Sequence, residues 1–257
     1  MSDRMPYGVS IIVTALNEEA TVEKVVREAS AIATDMLSEH EIVLIDDGGS
    51  DQTGAIMDRL SRELPSTKVI HNRPNLGFGA SYMRGVAEAR FDYVMLLCGD
   101  NGLPPSNLPR IFEKIGTADI VIPYMRNLRE IKTWHRYVIS RVYTIFLNLF
   151  SGNRLHYYNG LPLHRRVLLN KIKVNSTGFG FQAEILIKLL KSGCTYVEVG
   201  VDGAAKAEQR SVLLRPRNIV NVLGTCLSLL RELHRFNGIE LPPQSGSADT
   251  STGRLSS

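Results

Sequence analysis

Short apolar runs alternate with helical patterns along the first half of the chain. Five of these runs are rich in β-branched and aliphatic residues and predict strands, at 9–13, 41–45, 68–71, 93–97 and 120–122. Between them, apolar residues recur every three or four positions and predict helices that begin near Ala20, Thr53 and Asn75. Continuous apolar strands that alternate with helices are typical of an α/β fold, in which helices cover both faces of a mostly parallel sheet.

One amphipathic segment dominates the second half. Residues 134–152 carry a long apolar surface that Arg136 and Arg141 interrupt. A helix with this pattern either packs its apolar surface into the core or contacts lipid, because basic residues beside an amphipathic helix suit a membrane surface. The sequence leaves both interpretations open.

The remaining patterns complete a single domain. Three further elements, two helices and a strand between them, are expected at 181–191, 196–199 and 218–236. We therefore expect one domain over 1–241. The Ser-, Thr-, Gly- and Pro-rich residues of 242–257 predict a disordered tail.

Polar side chains follow three of the predicted strands. Asn17 and Glu18 come after the first strand, Asp46 and Asp47 after the second, and Asp100 after the fourth. Because the carboxyl ends of parallel strands meet at one edge of a sheet, we expect these side chains to form a ligand site. An aspartate before glycine is also typical of a plain turn, so each cluster taken alone keeps a structural interpretation.

A glycine pair opens the third predicted helix, in the sequence Asn75-x-Gly77-x-Gly79. It resembles part of a dinucleotide-binding fingerprint, but it lacks the third glycine and follows the third strand instead of the first. Close packing of the helix against a strand is the interpretation that we favour.

Composition narrows the class of protein. The net charge of +4 and the pI of about 9.0 suit an anionic small molecule, a phosphate or a membrane surface as partner, or simply a basic protein. Three cysteines without a C-x-x-C pair argue for a reducing compartment, and the six histidines lack metal-binding spacing. We expect that the polar N-terminus is no secretory signal, and no apolar run reaches the length of a spanning helix. We expect a cytoplasmic protein, soluble or at the cytoplasmic face of a membrane, with no nucleic-acid partner.

Five ordered segments carry the most specific signal. They are VSIIVTALNEEATVEKVV, EIVLIDDGGSDQT, RPNLGFGASYMRGVAEA, LLCGDNGLPPSNLP and TGFGFQAEILIKLLKSGCTYVEVGV. Together they resemble the motifs of family 2 glycosyltransferases of the GT-A fold, and the last is similar to the F-Q-x-E helix of the polyprenyl- and dolichyl-phosphate sugar synthase branch. The resemblance spans roughly residues 8–215. It implies a nucleotide-binding half over about 8–123 and an acceptor-binding half over about 124–241.

The chain departs from the family pattern at several of these positions. Thr14 stands where proline is usual, and Cys98 replaces the first acid of the metal-binding D-x-D pair, so that Asp100 remains without it. A later basic loop keeps Lys206 but has Val212 at its last basic position. These departures indicate a donor or acceptor other than those of the mannose and glucose transferases, and they leave a catalytically silent nucleotide-sugar-binding protein as an alternative.

The resemblance implies a role for each motif residue. Ten residues would bind a UDP- or GDP-sugar: Ala15, Leu16, Asn17, Glu18, Asp46, Asp47, Gly79, Asp100, Lys206 and Arg210. Asp100 would also hold Mg²⁺ or Mn²⁺ against the donor diphosphate, in a site weakened by the loss of the partner acid. Lys206 and Arg210 would close over that diphosphate, and transfer would invert the anomeric carbon.

The acceptor decides which other residues take part in catalysis. A hydroxyl acceptor needs a general base, and Glu184, with Gln182 beside it, joins Asp100 as an expected catalytic residue. Polyprenyl phosphate is already an anion, and three arginines could position it: Arg126, Arg136 and Arg141. We expect transfer to polyprenyl phosphate or another membrane-bound acceptor, with a soluble hydroxyl acceptor as the alternative. Peripheral membrane contact, and pairing of two copies through 219–230, stay open.

Overall fold

The computed structural model describes residues 4–178, 180–204, 236 and 238–242. Its strands are β1 (Met5–Ala15), β2 (Leu37–Asp46), β3 (Thr67–His71), β4 (Tyr93–Cys98), β5 (Ile120–Met125), β6 (Leu163–Arg165) and β7 (Tyr196–Val201). Its α-helices are α1 (Val22–Met36), α2 (Thr53–Glu63), α3 (Phe78–Glu88), α4 (Leu108–Phe112), α5 (Leu128–Ile131), α6 (Trp134–Ser151), α7 (Arg166–Leu169) and α8 (Phe181–Lys191). Every strand and helix predicted within the described part of the chain is confirmed.

Seven strands in the described part form one sheet, in the order β3-β2-β1-β4-β6-β5-β7. β6 runs antiparallel to both of its neighbours, β4 and β5, and all other neighbouring pairs are parallel. The α/β class and the mostly parallel sheet are therefore confirmed. The short antiparallel strand β6 is an element that the sequence pattern does not predict.

Helices cover both faces of the central strand β1. Val9, Ile11, Ile12 and Val13 are all fully buried, although successive residues of a strand point to opposite faces. On α3, Gly85 packs so closely that a Cβ there would lie 2.5 Å from the Cγ2 of Ile12. Helix α1 contributes a buried stripe at helical spacing, formed by Val22, Val25, Val26, Ala29 and Ala33.

The amphipathic segment forms α6, and most of its apolar surface is exposed. Thr144 and Leu147 are the buried residues of this helix. Seven large apolar side chains are exposed: Trp134, Val138, Ile139, Val142, Ile145, Phe146 and Leu149. The interpretation that this surface packs into the core is therefore wrong for most of the helix. Of the helices described, none combines the length and apolarity needed to cross a bilayer.

Several predicted features lie outside the described residues. They are Lys206, Arg210, the pairing surface over 219–230, the helix over 218–236 apart from Phe236, and the tail over 242–257 apart from Pro242.

Candidate functional site

The polar residues predicted to meet lie at one edge of the sheet. Strand β1 is hydrogen-bonded to β2 on one side and to β4 on the other, and all three strands run parallel. Ala15 is paired with Asp46 across the first contact, and Thr14 with Cys98 across the second. The loops that follow β1, β2 and β4 therefore leave the sheet side by side, which confirms the predicted edge.

The loops after β1 and β4 are in direct contact. The backbone N–H of Gly99 donates to the carbonyl oxygen of Thr14 at 2.9 Å, and the Thr21 hydroxyl donates to the carbonyl of Gly99 at 2.6 Å. A Cβ on residue 99 would lie 2.7 Å from the Cβ of Ala15. Glycine between Cys98 and Asp100 thus allows the Asp100 loop to close against the end of β1.

Side chains also tie the loop after β1 to the loop after β2. The Oδ1 of Asn17 accepts a hydrogen bond from the backbone N–H of Ser50 at 2.8 Å, and Asn17 has a left-handed backbone with a φ of 58°. The backbone N–H of Glu18 donates to the hydroxyl of the buried Thr53 at 2.8 Å. Thr53, the last residue of the EIVLIDDGGSDQT segment, is thus a positioning residue that the sequence pattern does not predict.

Asp46 is buried at the end of β2 among cationic partners. Its Oδ2 lies 2.8 Å from His71 Nδ1 and 3.0 Å from an Arg73 guanidinium nitrogen. Burial raises the pKa of Asp46, but the hydrogen bonds from His71 and Arg73 outweigh it and bring that pKa below its ordinary value. The carboxylate is thus kept ionised at neutral pH, where it can accept hydrogen bonds.

Asp47 holds the loop that precedes α3. Its Oδ1 accepts hydrogen bonds from the Asn72 amide and from the backbone N–H of Leu76, each at 2.9 Å. Its Oδ2 accepts from the backbone N–H of Gly77 at 3.0 Å. The contacts of this carboxylate indicate that it positions the glycine-containing loop 72–77.

Gly79 lies where the start of α3 meets a loop from the second half of the chain. Its backbone N–H donates to the carbonyl of Thr177 at 2.8 Å, and a Cβ on it would lie 2.5 Å from the carbonyl oxygen of Ser176. The same Cβ would lie 2.9 Å from the Cβ of Phe181 on α8. The glycine pair thus allows α3 to pack closely, and its partners are a loop and a helix instead of the expected strand.

Two predicted catalytic residues on α8 have structural contacts. The Oε1 of Glu184 accepts from the backbone N–H of Asn175 at 2.9 Å and from the Lys188 ammonium at 2.7 Å, while its Oε2 accepts from Ser176 N–H at 2.8 Å. Gln182 accepts from the backbone N–H of Leu161 at 3.1 Å. Gln182, Glu184 and Lys188 are all buried, so α8 turns its polar side chains inward.

Arg126 lies at the end of β5 and forms an ion pair with Asp202. The two side chains approach to 2.6 Å, and Arg110 reaches the same carboxylate at 3.3 Å. The hydrogen bond from Arg126 lowers the pKa of Asp202. Two residues further along, the backbone N–H of Ala204 donates to the carbonyl of Gly102 at 3.4 Å. Ala204 therefore lies beside the Asp100 loop.

The other two predicted acceptor residues lie on α6. Arg136 is half-buried and Arg141 is exposed. Within the described part of the chain, neither side chain has a hydrogen bond or an ion pair with the three strand-end loops. No hydrogen bond or ion pair among the described residues thus links Arg136 or Arg141 to Asp46 or Asp100.

A family model identifies the protein family of this chain. The model described as glycosyl transferase family 2 matches residues 10–182, two thirds of the chain. The chain belongs to glycosyl transferase family 2. The matched residues contain all three strand-end loops, the glycine pair and the start of α8.

Curated relatives of this family 2 chain include transferases that act on a lipid phosphate. It is 26% identical, over 223 residues, to an undecaprenyl-phosphate 4-deoxy-4-formamido-L-arabinose transferase of Pseudomonas aeruginosa. The alignment covers 86% of this chain but 65% of that relative, so the chain spans somewhat less than two thirds of it. An undecaprenyl-phosphate mannosyltransferase of Micrococcus luteus is 28% identical over 177 residues, which cover 65% of this chain and 73% of the relative.

Solved structures share the fold of this family 2 chain. Glucosyl-3-phosphoglycerate synthase of Mycobacterium tuberculosis, crystallised with Mg²⁺ and UDP, superposes with a TM-score of 0.66 at 20% identity. The same enzyme with Mn²⁺, UDP-glucose and phosphoglyceric acid gives a TM-score of 0.67 at 21% identity. Both matches cover 88% of this chain and 80% of the other. The likeness shows that the fold is the GT-A fold.

A divalent metal would find a small set of protein ligands at this edge. Asp100 is half-buried and its Oδ1 accepts a hydrogen bond from the backbone N–H of Gly102 at 2.8 Å. Cys98, two residues earlier, occupies the last position of β4. Among the described residues, no three His, Cys, Asp or Glu side chains gather closely enough to hold an ion. The chemistry of Asp100 fits Mg²⁺ or Mn²⁺ if substrate oxygens complete the ligand set.

Proposed function

We propose that this chain is an inverting glycosyltransferase that transfers a sugar from a UDP- or GDP-sugar to polyprenyl phosphate at a membrane. The observation that supports this function is the contact of three polar loops at the carboxyl edge of β1, β2 and β4, in a family 2 chain. In open parallel sheets this edge is where ligands bind. The names of the undecaprenyl-phosphate relatives support the choice of acceptor.

The strand-end loops bind the donor. Ala15, Leu16 and Glu18 lie along the end of β1, and the Asp46 carboxylate accepts hydrogen bonds from the base or ribose. Asn17, Asp47 and Gly79 support donor binding indirectly, because their contacts hold the donor-binding loops and the start of α3 in position. Lys206 and Arg210 act as cationic clamps on the diphosphate.

A phosphate acceptor agrees with the surroundings of Glu184. In the proposed step an acceptor phosphate oxygen forms a bond to the anomeric carbon as the bond from that carbon to the donor β-phosphate breaks. The nucleoside diphosphate leaves with the electron pair, and the anomeric centre inverts. An anionic acceptor has no proton to lose, so no general base is required. Glu184, whose oxygens hold Asn175, Ser176 and Lys188, then serves as a positioning residue.

Asp100 would hold a divalent ion together with diphosphate oxygens. When bound, such an ion neutralises the charge that develops on the leaving group. Asp100 itself is held beside the end of β1 by the contact of Gly99 with Ala15. The weak protein ligand set means that the ion would bind with the donor instead of before it.

The exposed apolar residues of α6 would face the membrane that carries the acceptor, at its cytoplasmic face. An amphipathic helix with this much exposed apolar surface binds at the interface between head groups and acyl chains. Arg136, on the first turns of α6, and Arg126, at the end of β5, would place the acceptor phosphate.

A transfer assay tests this function. Purified protein is incubated with UDP- and GDP-sugars, undecaprenyl phosphate in neutral detergent and Mn²⁺, and the lipid product is separated and its anomeric configuration measured by NMR. We expect an inverted lipid-linked product, and Asp100→Asn should lower kcat/KM by about 100-fold because it removes charge stabilisation at the reacting centre. The exposed Asp35→Asn variant is the matched control. Transfer only to soluble hydroxyl acceptors, or no nucleotide-sugar turnover at all, would contradict the proposal.

A further inference from the structure

Basic residues are concentrated in one continuous part of the chain. Between Glu130 and Glu184 the sequence has no aspartate or glutamate, and it carries eight lysines and arginines. This part has a net charge of +8 and the whole chain has +4, so the rest carries −4. Helix α6 lies entirely within this basic part. The charge of the molecule is therefore segregated toward the segment that also exposes apolar side chains.

A cleft of about 510 Å³ lies where the chain turns back along α6. One wall is the last turns of the helix, with Arg141, Ile145 and Leu149. The other wall is the returning segment 152–156, which carries Arg154. Both arginines are exposed and both line the cleft, one from each wall.

The walls of the cleft are held by hydrogen bonds. Gly152 ends α6 with a φ of 74°, and the Asn148 side chain then binds both backbone groups of Leu155, at 2.8 Å and 3.1 Å. His156, which also lines the cleft, stacks its ring on Tyr124 with centroids 4.6 Å apart. A cleft with fixed walls loses little conformational entropy when a ligand binds.

The chemistry of the cleft favours a phosphate attached to apolar chains. No carboxylate is among the described residues that line it. Glu198 lies nearby, but its two oxygens bind the Nδ1 and the backbone N–H of His156, each at 2.8 Å. At the rim, the side chains of Leu149 and Ile145 are 81% and 51% exposed. Guanidinium groups bind phosphate oxygens in bidentate geometry, and the rim offers apolar surface to the attached chains.

We propose that the Arg141–Arg154 cleft binds the phosphate head group of an anionic membrane phospholipid and thereby orients α6 on the bilayer. The inference rests on the proposed function in so far as a lipid acceptor requires the protein at a membrane. Arg141, which is expected from the sequence to bind the acceptor, would instead bind a bulk membrane lipid, and Arg154 would bind the same head group. The complementary charge of the basic segment and an anionic bilayer is the observation that selects this occupant.

Vesicle flotation without donor or acceptor tests the cleft. Wild type and the double variant Arg141→Gln/Arg154→Gln are each mixed with three kinds of vesicle. The first is phosphatidylcholine alone, the second contains about 30 mol% phosphatidylglycerol, and the third contains a trace of undecaprenyl phosphate in phosphatidylcholine. We expect the double variant to lose about tenfold or more of its partition into phosphatidylglycerol vesicles. Arg62→Gln/Lys173→Gln removes the same charge from exposed positions outside the cleft and should stay within about twofold of wild type.

A conservative variant separates a bidentate site from diffuse attraction. Arg141→Lys/Arg154→Lys keeps the charge but loses the forked geometry, so we expect about a threefold or larger loss of binding. Wild-type binding by this variant, equal losses in the two glutamine variants, or a loss confined to the undecaprenyl-phosphate vesicles would each overturn the inference. So would failure of the wild type to bind phosphatidylglycerol vesicles. A protein that binds these vesicles but transfers no sugar would overturn the proposed function instead.

Discussion

Polar side chains at the strand-end edge bind backbone groups as much as they offer atoms to a ligand. Asp47 accepts three hydrogen bonds from the loop before α3, and Asn17 and Thr53 join the loops after β1 and β2. The Asn72 amide that Asp47 binds is fully buried, where a polar group without a partner would be costly. Asp46 differs, because the side chains of His71 and Arg73 bind its Oδ2, although its Oδ1 also accepts from the backbone N–H of Gly49 at 3.4 Å.

Protonation of His71 is coupled to folding through two carboxylates. Its Nδ1 lies 2.8 Å from Asp46 and its Nε2 lies 3.1 Å from Asp58. The hydrogen bond to Asp46 raises the pKa of His71 above its ordinary 6.5, although burial opposes it, and the bond to Asp58 adds to the rise. The stabilisation from His71 is therefore complete below pH 6.5 and is lost as pH rises through the raised pKa. That from Asp46 is present above its ordinary pKa of 3.8 and is lost as pH falls through the lowered value.

We expect His71→Gln to reduce the free energy of unfolding most near pH 5.5 and progressively less toward pH 9. Urea denaturation of both proteins across this range measures the difference. His40 provides a control of opposite sign, because burial and the nearby charges of Arg4 and Arg90 lower its pKa. His40→Gln should therefore gain stability relative to wild type as the pH falls below 6.5. A His71→Gln deficit that does not change with pH would show that the imidazolium is not what stabilises the cluster.

At the scale of elements, the spacing of apolar residues along the chain is sufficient to predict most of the strands and helices. β6 escaped prediction because three residues, Leu163–Arg165, are too few to show a period, and because contacts with β4 and β5 hold it in place. Helix α8 was predicted with its correct bounds, but the inward direction of its polar residues was not. Glu184 and Lys188 are buried because the loop 173–176, just before α8 in the sequence, folds back and supplies their partners. The exposed face of α6 likewise depends on tertiary packing, which its own period does not determine.

Gly79 tests how tightly α3 must approach the second half of the chain. A Cβ there would lie 2.5 Å from a backbone oxygen and 2.9 Å from the Cβ of Phe181, and neither is the flexible end of a side chain. Gly79→Ala should therefore cost about 1–3 kcal/mol of unfolding free energy, as overpacking does, and should raise the KM for the donor. Gly178→Ala is the matched control, because its Cβ would meet no atom within 4 Å. Equal stability and equal KM in the two variants would contradict the close contact.

At the scale of the whole molecule, one chain of contacts joins the donor half to the acceptor half. The Asp47 carboxylate binds the backbone of Gly77, and the start of α3 donates a hydrogen bond to the carbonyl of Thr177. Glu184 accepts hydrogen bonds from the backbone of the same loop, at 175–176. Lys188 completes the chain by donating to Glu184 and to the carbonyl of Lys173, each at 2.7 Å. The family motifs that supply these residues are far apart in the sequence, yet their side chains meet through one loop.

Glu184→Gln should therefore weaken the whole molecule as well as any transfer activity. The substitution leaves the buried Lys188 ammonium without its carboxylate, and breaking one side of a buried ion pair costs about 3–5 kcal/mol. Guanidinium denaturation, followed by both circular dichroism and tryptophan fluorescence, measures this loss and shows whether the two halves unfold together. Glu28→Gln is the matched control, because Glu28 forms an i,i+4 pair with Lys24 on the surface of α1, and exposed pairs contribute little. A Glu184→Gln protein that is inactive but as stable as wild type would return Glu184 to the reacting centre.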